Sequence, residues 1–453
     1  MTAAQIAALV IFIIMFLLIV TEKIDRHIVS LTAGALMLIL VFGIMMHSPA
    51  DILKTLAFAD LAKPGFWITN GTVAEEAGGI NWATILFIGG MMVMVEGMAK
   101  AGFFRWLCLT IAKAVHYRPL RIFVTFMFMS AVLAMFIDSI TVILFLASVT
   151  IELANMLKFN PIPVILSEIF CANLGGSSTM CGDPPNIIIG TSLHYTFSDF
   201  ILNNGPIAGV TLLVMVLYFY LAFRHHLSAD PETTDGKPVV YPSPSEAIQN
   251  RREFAVSTII FLVTVVLLIT HAQTGLTVAT IGVGVAVVTL ITAPHYAKAI
   301  LREVDYRTLL FFIGLFVVVD GLDRSGILQM IANLIAKLSG NNPMLTIGIV
   351  IWLSAIASAF VDNIPFAATM VPVIKTLSTA MGIDLTTLAW TLSLGTDVGG
   401  SATPIGASAN VVGISVAAKN GHLITWRKYC KYAAPATIIS VAMFTVLIFV
   451  RYL

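Results

Sequence analysis

Asn173-Leu174-Gly175-Gly176-Ser177-Ser178-Thr179-Met180-Cys181-Gly182-Asp183-Pro184-Pro185-Asn186 interrupts a strongly apolar stretch with residues that cannot sustain one continuous helix. The same kind of interruption returns 224 residues later as Asp397-Val398-Gly399-Gly400-Ser401-Ala402-Thr403-Pro404-Ile405-Gly406-Ala407-Ser408-Ala409-Asn410. A second motif obeys the same shift: Phe136-Ile137-Asp138-Ser139-Ile140 returns as Phe360-Val361-Asp362-Asn363-Ile364. Glu96-Gly97 and Asp320-Gly321 share it, and residues 80–102 align without gaps to 304–326 with 8 identities in 23. Two half-molecules of common descent, each with acids and Gly/Ser/Thr breaks in apolar segments, is the plan of a secondary transporter.

Composition sets the solvent in which this plan operates. Hydrophobic residues make up 58% of 453, charged residues 11%, and the mean hydropathy is +0.95. A soluble domain carries about 25% charged residues. Apolar runs at 5–21 and 28–46 are long enough to span a bilayer, and they are continuous rather than alternating, so helices are expected and strands are not. The first run has no basic stretch ahead of it and reads as a transmembrane helix, not a cleaved leader. A net charge of +1 gives no reason to expect a nucleic-acid partner. The four cysteines form no CxxC or Cys/His cluster, so no metal site and no cofactor are expected.

The expected organisation is an N-terminal repeat over 1–225, a polar cytoplasmic linker over 226–252 and a C-terminal repeat over 253–453. Residues 47–79 and the linker read as loops. Lys23, Arg26, Lys100, Arg105, Lys113, Arg118, Arg121, Arg224, Arg251, Arg252, Lys298, Arg302 and Arg307 go to the cytoplasm by the positive-inside rule. The 47–79 loop has Lys54 and Lys63 against Asp51, Asp60, Glu75 and Glu76, and goes outside. Residues 103–121 are then cytoplasmic while their mates at 327–345 are external. The repeats are therefore inverted, which puts the binding site near the midplane.

Asp138 and Asp362 each follow a long apolar run. An ionised carboxylate at membrane depth is costly and normally faces a polar cavity; as N-caps they would also start a helix within the membrane. The breaks contain Asn173, Gly175, Gly176, Ser177, Thr179, Asp183 and Asn186 in one half, and Asp397, Gly399, Gly400, Ser401, Thr403 and Asn410 in the other. Freed carbonyls and hydroxyls suit a cation, whereas helix N-termini suit an anion or a polar neutral solute. Glu96 and Asp320 read equally well as interfacial residues or as buried proton carriers. No Lys or Arg falls in 130–157, 162–190, 343–374 or 390–418, so no cationic clamp is evident, and the acids favour a cation, a proton or a neutral solute.

These motifs resemble the ArsB/NhaD permeases of the ion transporter superfamily, with the P protein-like branch nearest. The resemblance implies an all-α polytopic fold of two inverted-topology repeats, each with a re-entrant hairpin and a broken helix. It implies elevator movement, a homodimer, and a soluble ATPase subunit as the further partner of an arsenical member. It places Asp138-Ser139 and Asp362-Asn363 at the hairpin tips, as ligands for Na⁺ or H⁺. The expected function is ion-coupled secondary transport at the plasma membrane (a bacterial inner membrane). A proton-coupled antiporter exporting arsenite or antimonite ranks first, a Na⁺/H⁺ antiporter second, and an anion or dicarboxylate carrier third. Ser177, Thr179, Asn186, Ser401, Thr403 and Asn410 would cradle the small inorganic ion or metalloid, and the coupling ion would be H⁺ or Na⁺. An intramembrane aspartyl protease is the competing class. Its Gly-x-Gly-Asp signature would need glycine where Met180 stands, so the chain is not read as an enzyme.

Overall fold

The computed structural model describes residues 1–21, 23–69, 78–227, 241–340 and 342–453. Among these residues the regular structure is helical, with one isolated bridge between Ile68 and Leu276. Helices satisfy their own backbone polar groups, which a bilayer cannot do. Nine of the described helices are long and apolar enough to cross a membrane, and the chain is a multi-pass integral membrane protein.

In chain order the helices are α1 (Ala3–Thr21), α2 (Arg26–Leu36, prolonged as a π-helix over Met37–Met45), α3 (Pro49–Leu56), α4 (Pro64–Trp67), α5 (Trp82–Lys100), α6 (Phe103–Ala114) and α7 (Pro119–Ala134). Then come α8 (Ser139–Leu157), α9 (Pro161–Gly176), α10 (Pro184–Leu193) and α11 (Phe197–Phe223). The second half has α12 (Arg251–Thr274), α13 (Val278–Thr292), α14 (Ala297–Glu303), α15 (Tyr306–Arg324), α16 (Ile327–Leu338) and α17 (Pro343–Phe360). It ends with α18 (Asn363–Met381), α19 (Leu385–Gly399), α20 (Ser408–Lys419) and α21 (Trp426–Tyr452).

The repeat read in the sequence is built twice in three dimensions. Asn81 caps α5 by accepting from the Thr84 amide, and its mate Asp305 caps α15 by accepting from the Thr308 amide. Helix α5 packs along α13, and α15 packs along α2, so each repeat supports a helix of the other. The contacts need glycine. A Cβ on Gly90 would lie 2.1 Å from the Gly282 carbonyl oxygen, and one on Gly314 would lie 2.3 Å from the Ser30 carbonyl carbon. Small residues permit this closeness between membrane helices. Around this frame, α7 runs beside α9 and α17 beside α19. The halves then exchange arms: α20 lies on α8, and α10 lies on α18.

The two segments read as loops are more structured than their polarity suggested. Within 47–79 the chain forms α3, a 3₁₀ turn over Phe58–Ala62, and α4. Polar side chains tie this segment down: Trp82 Nε1 donates to the Leu56 carbonyl at 2.9 Å, and Arg324 pairs with Asp51 at 3.1 Å. Glu75 and Glu76 lie outside the described residues, as do 228–240 of the linker. The rest of the linker includes a 3₁₀ turn over Pro244–Ala247 packed against α6, and the Tyr117 hydroxyl donates to the Pro242 carbonyl at 2.7 Å.

Glu96 and Asp320 find partners one turn along their own helices. Lys100 meets Glu96 at 3.2 Å and Arg324 meets Asp320 at 2.7 Å. The pairs recur at the same 224-residue offset. Asp320 also accepts from Thr55 Oγ1, joining α15 to α3. These two acids are helix-end anchors.

Candidate functional site

Both hairpins turn on an aspartate. Asp138 accepts from the Thr141 amide at 2.9 Å and from the Thr141 hydroxyl at 2.8 Å. Asp362 accepts from the Ile364 amide at 3.1 Å. The capping reading of these residues holds: the carboxylates start α8 and α18 while standing at the tips.

The helix breaks share one backbone geometry. Asp183 is extended (φ −144°, ψ 144°), and so is its mate Ala407 (φ −141°, ψ 145°). Pro184 imposes this in the first half, because a residue before proline is pushed out of the helical region. The side chains in the breaks serve mainly to hold them. Asn186 Nδ2 donates to the carbonyls of Gly176 and Thr179, each at 3.1 Å, and Asn410 Nδ2 donates to those of Gly400 and Thr403, each at 2.8 Å. Thr179 Oγ1 donates to the Met135 carbonyl, and Thr403 Oγ1 to the Ala359 carbonyl. Ser177 Oγ donates to the Leu174 carbonyl at 2.7 Å. A Cβ on Gly175 would come within 2.1 Å of the Ala131 oxygen, and one on Gly399 within 2.4 Å of the Ala355 Cα. These close approaches pin each broken helix to its hairpin.

Asp183, the acid without an acidic mate, joins the two halves. Its Oδ1 accepts from Ser139 Oγ and its Oδ2 from Asn363 Nδ2, both at 3.0 Å. One buried carboxylate thus latches both hairpin tips together. Deeper in the protein, Asn173 Nδ2 donates to Ser401 Oγ and Asn410 Oδ1, both at 3.0 Å. Asp397 is fully buried beyond it.

A cavity of about 360 Å³ opens against the tips. Asp138, Pro184, Asp362 and Ser408 border it, so the N-termini of α8, α10, α18 and α20 meet at one place. Phe87, Met91, Phe136 and Phe311 supply apolar wall. The cavity continues to Asp25, His27, Asp305 and Arg307, on segments that the charge rule assigns to the cytoplasm. Of the residues singled out in the sequence, Asp138 and Asp362 face this space and Asp183, Ser139 and Asn363 lie immediately behind it. Asn173, Ser177, Thr179, Asn186, Asp397, Ser401, Thr403 and Asn410 are buried around the crossing of the broken helices.

The structure brings to the tips one cation that the motif regions themselves do not contain. Arg26 NH1 donates to Asp362 Oδ2 and, at 3.2 Å, to Ser408 Oγ. It comes from the head of α2, 336 residues before its partner. In the sequence it registered only as a loop charge, because linear distance from a motif says nothing about which loop folds over it. Glu168 was also missed. It is fully buried on α9, its Oε1 accepts from Thr150 Oγ1 at 2.6 Å, and its repeat mate is Leu392, so the repeat gave no signal. Asn204 and Ser393 complete the polar core: Asn204 Nδ2 donates to Ser393 Oγ at 2.8 Å, and Ser393 Oγ donates to Asn186 Oδ1 at 2.6 Å.

Comparison with known proteins places this geometry. A model of the citrate transporter family, CitMHS, matches residues 16–395. An uncharacterized transporter of Mycobacterium tuberculosis is 31% identical over 455 residues, covering 99% of both chains. The P protein of Sus scrofa is 27% identical over 490 residues, covering 90% of this chain and 57% of its own length. Two solved transporters share the fold. They are YdaH of Alcanivorax borkumensis (TM-score 0.56, 14% identity, 98% of each chain) and MtrF of Neisseria gonorrhoeae (TM-score 0.59, 12% identity, 98% and 95%).

Proposed function

We propose, from the premise that this chain belongs to the citrate transporter family CitMHS, that it is a secondary transporter carrying a small carboxylate anion together with neutralising cations. The observation that carries this reading is Arg26 at the meeting point of four helix N-termini. Helix N-termini and a guanidinium are the two devices proteins use most to hold carboxylates. Arg26 already binds one carboxylate, that of Asp362, and a substrate carboxylate fits the same place by taking the guanidinium over. The cavity has room for a small organic acid, and its Phe and Met wall suits a carbon skeleton.

Charge decides the accompanying ions. Asp138, Asp183 and Asp362 stand at or behind the cavity against Arg26. An anion entering this company needs cations with it, so the arrangement favours symport of anion and cation over exchange. Access from the cytoplasmic segments fits the inward-facing end of an alternating-access cycle. The arsenite reading keeps one supporting feature, Cys181 on the cavity wall, because sulfur is a soft ligand.

The test is uptake of radiolabelled citrate into proteoliposomes under an imposed pH gradient, with succinate and malate as competitors. Wild-type protein should accumulate label. Arg26→Gln should raise KM by about 10- to 100-fold, the equivalent of losing one charge-assisted hydrogen bond. No uptake of any of the three acids, or normal uptake by Arg26→Gln, overturns the reading. A lumenal pH response to arsenite that Cys181→Ser abolishes would move the function to metalloid export, and a response to Na⁺ alone would move it to Na⁺/H⁺ antiport.

A further inference from the structure

The two broken helices hold their breaks with matching Asn and Thr contacts, but at one matched position within that network a donor is missing. In the first half Asn173 supplies an amide, whose Nδ2 donates to Ser401 Oγ and Asn410 Oδ1. The repeat mates of those acceptors are Ser177 and Asn186, and the mate of Asn173 is Asp397. Asp397 has no exposed surface, and neither of its oxygens has a hydrogen-bond partner. The Asn186 side chain is within reach of it, but its Nδ2 is given to the Gly176 and Thr179 carbonyls and makes no formed bond to the carboxylate. Where one half has a donor between two acceptors, the other half has a third acceptor.

We propose that Asp397 is the coupling-proton site of this transporter, a carboxyl that donates to Asn186 Oδ1 when protonated as Asn173 donates to Asn410. This rests on the transporter reading and adds which side chain carries the ion. A proton supplies one of the two hydrogens that Asn173 offers at the symmetric position, the one directed at the asparagine oxygen. A hard cation such as Na⁺ is held by several oxygens at once, and few are free beside Asp397. Asn186 Oδ1 accepts from Ser393 and Ser401 Oγ accepts from Asn173, which leaves Ser177 Oγ, its hydrogen on the Leu174 carbonyl, as a single open ligand. One remaining lone pair on Asn186 Oδ1 is enough for a hydroxyl donor and too little for a metal shell.

The elements packed against α19 bring Glu168 and Cys171 on α9, Asp183 ahead of α10, Tyr429 on α21, and Asp362 and Lys375 with α18. Of these, Asp183 acts on Asp397 as a like charge. Asp183 is also the latch between the hairpin tips. Ionisation of Asp397 is therefore felt at the residue that fixes both tips, which links proton release to the walls of the cavity.

The test is infrared difference spectroscopy of the reconstituted full-length protein during a pH titration, with and without Na⁺. A carbonyl-stretch band of a protonated carboxyl should rise and fall with pH, be lost in Asp397→Asn, and be unmoved by Na⁺. Absence of a titrating band, its survival in Asp397→Asn, or its removal by Na⁺ at constant pH overturns the assignment. If Asp397→Asn does not fold, Asp138→Asn, Glu168→Gln, Asp183→Asn and Asp362→Asn decide by elimination: a band kept in all four supports Asp397, and a band lost in any of them refutes it. In the citrate assay, Asp397→Asn should lose accumulation driven by the pH gradient; unaltered accumulation refutes the proposal. Failure of citrate to move at all would overturn the substrate reading while leaving the infrared result to stand or fall alone.

Discussion

The pairing of Arg26 with Asp362 can be tested by a double-mutant cycle, because its energy follows from how the two groups are buried. The Asp362 side chain is 5% exposed and the Arg26 side chain 30%. A fully exposed ion pair contributes about 0.2–1 kcal/mol. Breaking a fully buried one by removing a single partner costs about 3–5 kcal/mol, because a charge is left uncompensated. With one partner buried and the other a third exposed, each single variant, Arg26→Gln or Asp362→Asn, should cost roughly 1–3 kcal/mol. The Asp362 variant should be the milder, since Asn still offers an oxygen to the Ile364 amide and Arg26 keeps its bond to Ser408. The double variant removes both charges and should be no less stable than the worse single, giving a coupling energy of about 1–2 kcal/mol. The assay is thermal unfolding of the purified protein in detergent, with citrate transport measured in parallel. Additive single effects would refute the reasoning: the two groups would then not compensate one another, and Arg26 would not be held at the site.

Other outcomes follow from the same geometry. Gly175→Ala drives a Cβ into the Ala131 backbone and should destabilise by about 1–3 kcal/mol, whereas Gly209→Ala, in α11 with open space around it, should stabilise by about 0.5–1 kcal/mol; thermal unfolding ranks the two. Asn186→Ala and Asn410→Ala each remove two buried hydrogen bonds to carbonyls of the break and should each cost about 1–3 kcal/mol, with similar effects expected from the matching geometry. Asp183→Ala cuts the latch between the tips and should abolish transport. Asp183→Asn keeps one acceptor for Asn363 and should retain partial transport, read as citrate uptake at equal protein density. Asp320→Asn weakens an anchor remote from the cavity, so it should lower the unfolding temperature and leave KM unchanged.

Membrane class, helical structure, the doubled architecture and the location of the breaks were all legible in the chain. The reason is that a bilayer forces nearly every spanning residue to be apolar, so each Asp138, Asp183, Asp362 or Asp397 stands out against its background. Repetition at one offset then marked the hairpin tips and breaks as matched elements, and the hydrogen bonds of Asn186 and Asn410 repeat as their sequence does. What the chain could not reveal was where isolated residues end up. Arg26 belongs to no motif, yet it reaches Asp362. Asp183 looked like an orphan and is the contact between two hairpins. Glu96 and Asp320 looked open to a proton-carrying role until Lys100 and Arg324 closed over them. The polarity of 47–79 suggested a loop, but its anchors are Arg324 and Trp82, which lie outside the segment. Local pattern decides which residues must be buried and where a helix must break, because those depend on neighbours along the chain. Only the packing of one inverted half against the other decides which charges meet, because an ion pair depends on distance in space and not on distance in sequence.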